Sequence, residues 1–153
     1  MPTNYLRRRN DAVKAGPGQI DRGRRVSPRI IEITVGGVTL RAEILDSPTA
    51  ERLWTALPLF STAERWGDAV HFEIPVPSGR ERNARTLGEP GLIYFWSHEE
   101  RLVIPFGKTP ISRPGEVRLP APCNIVARSL VDTSLLKCVS PGEKVSVKAA
   151  TKG

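Results

Sequence analysis

A pair of glycines between two short alternating runs places the strongest constraint on the fold. Residues 29–35 read RIIEITV, residues 38–45 read VTLRAEIL, and Gly36-Gly37 separates them. Alternation of apolar and polar residues is typical of a strand with one buried face. Glycine reaches the positive φ that a tight two-residue turn requires. The sequence therefore predicts a β-hairpin at this point.

One helix is predicted directly after the hairpin, in residues 46–58, DSPTAERLWTALP. Its apolar residues recur at i, i+3, i+4 and i+7, which puts them on one helix face. Asp46 or Ser47 can cap the helix, Pro48 suits its first turn, and Pro58 ends it. We interpret the apolar stripe as packing against the core. The stripe consists of Ala50, Leu53, Trp54 and Leu57.

The rest of the chain is a series of short apolar runs bounded by turn residues. Residues 77–90 are predicted as a polar connection, and residues 108–123, with four prolines, as a long loop or lid. Many short strands with two helices favour a mainly β fold, here a closed or nearly closed β-barrel with two short helices and an N-terminal extension. Further strands are predicted in residues 69–76, 91–97, 101–107, 123–130 and 143–150, and a short helix in residues 132–139.

The positive charge is concentrated at the N-terminus. The chain carries a net charge of +7; residues 1–29 hold eight basic and two acidic side chains, +6, which leaves +1 for the rest. We expect a basic arm in residues 1–28, flexible or bound to a partner, a domain in residues 29–149 and a short tail, 150–153. A near-neutral domain is not a basic nucleic-acid surface, so a protein partner is favoured. Candidate contacts are Tyr5, Leu6, Arg7, Arg8 and Arg9.

Cysteines and hydropathy restrict the protein class further. Cys123 and Cys138 form no C-x-x-C motif, so we expect two ordinary thiols and no metal site. No phosphate-binding glycine loop or nucleophile motif is present, and no cofactor is expected. The chain has neither an apolar run of about 18 residues nor an apolar signal segment. A cytoplasmic protein without a membrane segment is the resulting expectation.

Several motifs together carry a resemblance to a known family. They are SPTAERLWTALP in the helix, HFEIP in the following strand, and a strand, short helix and final strand at the end of the domain. Trp66-Gly67-Asp68 and the run Phe106 to Pro110, FGKTP, add to the pattern. In this order, residues 29–148 resemble the prokaryotic cyclophilin-like family of small, single-domain proteins.

The resemblance implies a prolyl isomerase scaffold that lacks the usual catalytic set. In cyclophilins, an Arg donates to the prolyl amide, a Gln fixes the neighbouring backbone, and aromatic residues form a proline-sized pocket. Aligning the Ile-Pro pairs puts Glu73 at the Arg position, and Leu102 lies near the Gln. A carboxylate cannot donate a hydrogen bond at neutral pH. With an offset alignment, Arg65 or Arg101 could supply the guanidinium.

Several residues are candidates for a binding cleft, although Tyr94, Trp96 and Phe106 could instead pack in the core or barrel and Trp66 could belong to a turn into a strand. His71 and Glu73 share a strand face; they could form an acid/base pair or two metal ligands, but simple alternation into solvent explains them as well. The cleft candidates are Trp66, His71, Tyr94, Trp96 and Phe106. We therefore expect a non-catalytic binding module, an accessory or structural subunit of a larger enzyme complex. The alternatives are a weak or altered peptidyl-prolyl isomerase and, from the arm alone, a nucleic-acid-associated protein.

Overall fold

A computed structural model describes residues 29–150 as ten strands and two helices. Strand residues make up 45% of this part, so the predicted mainly β fold is confirmed. The strands are β1 (Ile30–Val35), β2 (Val38–Ile44), β3 (Leu59–Thr62), β4 (Glu64–Arg65), β5 (Ala69–Glu73), β6 (Arg85–Leu87), β7 (Leu92–Trp96), β8 (Arg101–Pro105), β9 (Arg118–Ser129) and β10 (Lys144–Ala149). Helix α1 spans Pro48–Ala56, and a 3-10 helix spans Thr133–Cys138.

All strands belong to one curled, antiparallel system. The hydrogen-bonded order is β3-β10-β1-β2-β9-β7-β8-β5-β4, and β6 pairs with β9 beside this path. Among residues 29–150 no ladder joins the end strands β3 and β4, so closure into a barrel is not confirmed. The two end strands are nevertheless consecutive in the chain, with only Ala63 between them. The sheet therefore curls until its first and last strands lie end to end.

The predicted hairpin and helix form for the local reasons that the sequence suggests. Val35 pairs with Val38 across the turn, and Gly36 has a φ of +58°. Ser47 caps α1, because its hydroxyl oxygen accepts from the Ala50 backbone N–H at 3.1 Å. The predicted apolar stripe of α1 packs against the core, as proposed for its tryptophan.

The predicted loop at residues 108–123 is wrong in its second half. Strand β9 begins at Arg118 and includes Pro120 and Pro122. Proline has no N–H to donate to a ladder. It is accommodated here because the pairing of β9 with β6 is irregular, with a shift of register between Arg85 and Leu87. The short strands β3, β4 and β6 were not expected either, since none has a sustained alternating pattern.

The sheet has apolar side chains on both faces. Its inner face and α1 enclose the main core, which includes the fully buried residues Ile33, Phe72 and Phe95. The outer face of β5, β7, β8 and β9 carries a smaller cluster. That cluster contains Ala69, Tyr94, Val103, Leu119 and Cys123, with Leu92, Trp96 and Ile125 packed against it. The five cluster residues are at most 1% exposed, so this cluster is a second, smaller core rather than an exposed apolar patch.

Some expectations concern residues that the structure does not describe. The arm, residues 1–28, and its candidate contacts Tyr5, Leu6, Arg7, Arg8 and Arg9 lie outside the described residues. Within residues 29–150, none of the helices has the length and hydropathy needed to cross a membrane.

Candidate binding cleft

The outward side chains of β5 form the middle of the candidate site. In the antiparallel ladders His71 lies opposite Glu64 of β4 and Val103 of β8, while Glu73 lies opposite Arg101 of β8. Side chains alternate along each strand, so these five point to the same outer face. Val70, Phe72 and Ile74 occupy the inner face and are fully buried, as the alternation predicts.

A mainly apolar cavity of about 250 Å³ opens on this outer face. Three of the five predicted cleft residues, Trp66, His71 and Trp96, line it together. A dry cavity of about 150 Å³ is large enough to hold benzene, so this one can hold an aromatic or branched aliphatic group. We call it the Trp pocket; its lining residues are Trp66, His71, Trp96, Val103 and Pro120.

A second, more polar cavity has a volume of about 450 Å³, and its lining residue Arg101 contacts His71 of the Trp pocket. It lies beside the end strand β3 and contains both outward carboxylates, Glu64 and Glu73, together with Arg101. We call it the polar pocket; its lining residues are Phe60, Ser61, Thr62, Glu64, Glu73, Pro75 and Arg101. Together the Trp pocket and the polar pocket make up the cleft.

The pair of Arg101 and His71 forms the boundary between the two pockets. Arg101 Nη1 lies 3.2 Å from His71 Nδ1. Burial lowers the pKa of His71, and the positive charge of Arg101 lowers it further, while Glu64 acts in the opposite direction. The imidazole is therefore neutral at pH 7, and a neutral ring can accept from Arg101 at Nδ1 if its proton is on Nε2.

Arg65 and Arg101 are equal candidates for the guanidinium by sequence, but the structure holds Arg65 in a different environment. Its Nε and Nη2 donate to the Gly67 carbonyl at 3.1 and 2.9 Å. Its Nη1 donates to the carbonyls of Lys137 and Val139 at 3.1 and 2.9 Å. The guanidinium also lies over the Phe106 ring, 5.2 Å from its centre. All three guanidinium nitrogens of Arg65 are thus bound to main-chain oxygens.

The motifs Trp66-Gly67-Asp68 and FGKTP meet in space. The Asp68 N–H donates to the Lys108 carbonyl at 2.8 Å, and the Asp68 carbonyl accepts from Phe106 and Gly107. Gly67 has a φ of +60°, and a Cβ there would lie 2.8 Å from the Lys108 oxygen. This close approach fixes the turn that carries Trp66, and with it one wall of the Trp pocket.

Two of the predicted cleft residues do not line the Trp pocket. Tyr94 is fully buried in the outer cluster beneath it, and its hydroxyl oxygen accepts from the Glu89 N–H at 2.9 Å. Burial is the main reason that the pKa of Tyr94 is raised. Phe106 packs against the main core under Arg65. Cys123 lies in the same cluster as Tyr94, and burial raises the pKa of its thiol to about 12, so it stays protonated.

Neither position on β5 that could match the catalytic Arg holds a guanidinium. Glu73 is exposed and directly precedes Ile74-Pro75. The cyclophilin motif F-H-R-x-I-P, counted strictly, puts the Arg one residue earlier, at Phe72, which is buried in the core. Leu102, opposite Phe72 in the ladder, is buried as well. Arg101 is the candidate guanidinium that reaches the cleft, from the strand next to β5.

Sequence reasoning missed seven lining residues of the cleft, which are Phe60, Ser61, Thr62, Glu64, Pro75, Val103 and Pro120. Val103 follows Arg101 by two positions, so strand alternation could have found it. Glu64 belongs to the unpredicted strand β4, and Pro120 to the part of β9 that was taken for a loop. No group of three or more His, Cys, Asp or Glu side chains among residues 29–150 is arranged to hold a metal ion.

Comparisons with known proteins give a family and two structural neighbours. The family model described as Cyclophilin-like matches residues 29–148. A solution structure of the hypothetical protein AF2241 from Archaeoglobus fulgidus is 32% identical, with a TM-score of 0.71 over 84% of this chain and 100% of that chain. A structure of McbB in complex with tryptophan is 20% identical, with a TM-score of 0.60 over 80% of this chain and 45% of that chain, and shows the fold alone. No match is found among curated proteins.

The family match covers all the strands except the last residue of β10, and the AF2241 likeness extends over that whole protein. The motifs that suggested the resemblance, from the α1 segment to FGKTP, all lie within the matched residues. The chain belongs to the cyclophilin-like family.

Proposed function

We propose that this protein is a cyclophilin-like binding module that does not use the usual isomerase catalytic set. The observation that carries the proposal is the Trp pocket. Two tryptophans and a proline surround a cavity large enough for one apolar group, next to a polar rim. Concave, largely apolar sites with a few polar groups are the usual form of ligand sites. Neither Glu73 nor Leu102 can perform the donor roles that prolyl isomerisation requires.

A second candidate, a weak or altered prolyl isomerase, is favoured by the position of Arg101. A guanidinium beside an apolar pocket could donate to a prolyl amide while the proline ring occupies the pocket. Such a donor lowers the barrier only if it binds the twisted amide better than the planar one. Arg101 contacts His71 and faces two carboxylates, so its charge is partly compensated. We therefore expect little or no turnover.

A protease-coupled proline isomerisation assay separates these two functions. We expect less than about one tenth of the activity of an ordinary cyclophilin on the same peptide, a loss of at least 1.36 kcal/mol in barrier lowering. Arg101→Gln tests any remaining activity, and Arg41→Gln is the matched control, because Arg41 is also a strand arginine but pairs with Glu32 far from the cleft. Activity within tenfold of a cyclophilin that disappears in Arg101→Gln alone would establish the isomerase instead.

Binding itself is tested by the indole signals of the tryptophans in a ¹H–¹⁵N NMR spectrum. We expect apolar ligands to shift the signals of Trp66 and Trp96, which line the Trp pocket. Trp54 lies on α1 against the main core and serves as the internal control. If no apolar amino acid or proline peptide at millimolar concentration moved Trp66 or Trp96 more than Trp54, the binding-module proposal would be rejected.

We further propose an accessory role in which the basic arm binds a protein partner. The argument comes from the sequence: six of the seven net positive charges are in residues 1–29, together with the apolar candidates Tyr5 and Leu6. Aromatic anchors contribute most to protein interfaces, while charge mainly steers the encounter. In a pull-down from host extract, Tyr5→Ala should reduce partner capture more than Arg9→Ala. The reverse order, or arm-dependent submicromolar binding to duplex DNA, would favour a nucleic-acid partner.

A further inference from the structure

The guanidinium of Arg101 has hydrogen-bond donors to spare. Arginine carries five N–H groups, and within residues 29–150 Arg101 makes one side-chain hydrogen bond, to His71 Nδ1. Glu73 is the ladder partner of Arg101, yet the ion pairs within residues 29–150 do not include one between Glu73 and Arg101. Arg101 is half-buried, lines the polar pocket and contacts His71 of the Trp pocket. It is therefore placed to donate to an oxygen atom of a bound ligand.

The surroundings of Arg101 favour a ligand that carries both charges. Glu64 and Glu73 line the polar pocket with it, and His71 is neutral at pH 7 because burial lowers its pKa. One guanidinium and two carboxylates give this rim a net charge of −1. A purely anionic ligand would approach Arg101 against two like charges, whereas a neutral ligand would offer no opposite charge to the guanidinium or to the carboxylates.

The Trp pocket sets the third requirement, an apolar group of limited size. Its volume of about 250 Å³ exceeds the roughly 150 Å³ that suffices for benzene. His71 belongs to this pocket and is hydrogen-bonded to Arg101 of the polar pocket. An apolar side chain in the Trp pocket thus lies next to His71, which contacts the guanidinium and is the ladder partner of Glu64.

We propose that the cleft binds a free α-amino acid with an apolar side chain. The side chain occupies the space between Trp66 and Trp96, the α-carboxylate accepts from Arg101, and the α-ammonium faces Glu73. This inference rests on the proposed binding function and names its ligand class. An internal peptide segment offers neither charge, and a peptide C-terminus offers the carboxylate but places an amide opposite Glu73.

Isothermal titration calorimetry of the full chain with L-phenylalanine and L-leucine tests the proposal. We compare L-phenylalanine with L-phenylalaninamide, which lacks the carboxylate, and with N-acetyl-L-phenylalanine, which lacks the ammonium. Each derivative should bind at least about tenfold more weakly, equivalent to about 1.4 kcal/mol. Arg101→Gln should remove the discrimination against the amide, and Glu73→Gln that against the acetylated form. Arg41→Gln should leave both intact, and circular dichroism melts establish that each variant is folded.

The outcomes separate the ligand class from the binding function. Equal or tighter binding of the amide or acetylated form would overturn the amino-acid proposal, and an apolar ligand that still shifts the Trp66 and Trp96 indole signals would then leave the binding module standing. The amino-acid proposal would also be overturned if Arg101→Gln and Glu73→Gln kept the tenfold preference for the free amino acid. The carboxylate and the ammonium group would then be recognised elsewhere. If no ligand shifted the indole signals of Trp66 or Trp96, both proposals would be rejected.

Discussion

Two arginines on the strands that flank β5 show how one side-chain type serves two purposes. Arg65 of β4 lies in a corner formed by the Gly67 turn, Phe106 and the end of the 3-10 helix, and its donors go to main-chain carbonyls. Arg101 of β8 lines the polar pocket, and within residues 29–150 it makes one side-chain hydrogen bond, to His71. Charged donors to carbonyl oxygens make strong bonds. We therefore interpret the Arg65 corner as a structural joint, whereas the Arg101 cleft is the site that we propose for binding.

The corner also explains why the cleft has a fixed shape. The turn that Arg65 holds carries Trp66, one wall of the Trp pocket, and the same turn is bound to the FGKTP segment through Asp68. Thr109 belongs to the FGKTP segment, and its hydroxyl donates to the Arg118 carbonyl at 2.6 Å. This bond connects the segment to the start of β9, the strand that contains Pro120. The Arg65 corner and the segment bound to it thus position two lining residues of the Trp pocket, Trp66 and Pro120.

We expect the largest loss of stability from a substitution at Gly67, the glycine of the Arg65 corner. Gly67→Ala would place a non-glycine residue at a φ of +60° and a Cβ 2.8 Å from the Lys108 carbonyl oxygen. The left-handed conformation costs about 1–2 kcal/mol, and the backbone must also shift, so we expect about 3 kcal/mol of lost stability. Urea unfolding followed by circular dichroism measures it.

Gly37→Ala is the matched control for this change. A Cβ at Gly37 meets nothing within 4 Å, so its effect should stay within about 0.5 kcal/mol. Equal stability of the two variants would show that the turn is free to relax, and that it does not fix the wall of the Trp pocket.

The next largest loss of stability is expected at Arg65, and the same substitution at Arg101 gives the direct comparison. Arg65→Gln removes the charged donors to Lys137 and Val139, and we expect a loss of about 2 kcal/mol in unfolding free energy. Arg101→Gln breaks one contact at a half-exposed position and should cost less than about 0.5 kcal/mol. The same urea titrations measure both. A larger loss for Arg101→Gln would assign it a structural role and weaken its proposed role in ligand binding.

The sequence predicted the parts of the fold that depend on neighbours in the chain. The hairpin at Gly36, the cap at Ser47 and the alternation around Phe72 are set within a few residues, and all three are confirmed. The extension of β9 through Pro120 was missed because its irregular pairing with β6 is a tertiary feature.

The site shows the same division between local and long-range information. Strand alternation was enough to put His71 and Glu73 on the strand face opposite the buried Phe72. It could not distinguish Arg65 from Arg101, because the partners of Arg65 that decide its role lie 72 and 74 residues away in sequence. Residue type identified the candidates, and only the tertiary structure could show which guanidinium has donors left.

The smallest effect concerns the pH dependence of the cleft. His71 is partly buried among Arg101 of β8, Glu64 of β4 and Glu73 of its own strand; burial first, and Arg101 second, lower its pKa from the usual 6.5. Below about pH 6.5 the unfolded chain therefore takes up a proton at this residue more readily than the folded chain. The stability linked to neutral His71 is complete above pH 6.5 and is lost as the pH falls through the lower, folded-state value.

His71→Gln isolates this effect, since glutamine does not titrate. We expect the difference in unfolding free energy between wild type and His71→Gln to be constant from about pH 7 to 8 and to shift against wild type between about pH 6.5 and 5. Urea unfolding at each pH measures it, and His98→Gln is the control, because the side chain of His98 is 88% exposed in the turn between β7 and β8. A difference that is flat with pH, or that moves in favour of wild type on acidification, would mean that His71 is not held neutral beside Arg101. The boundary between the two pockets would then be solvated rather than fixed, and the contrast with the Arg65 corner would be lost.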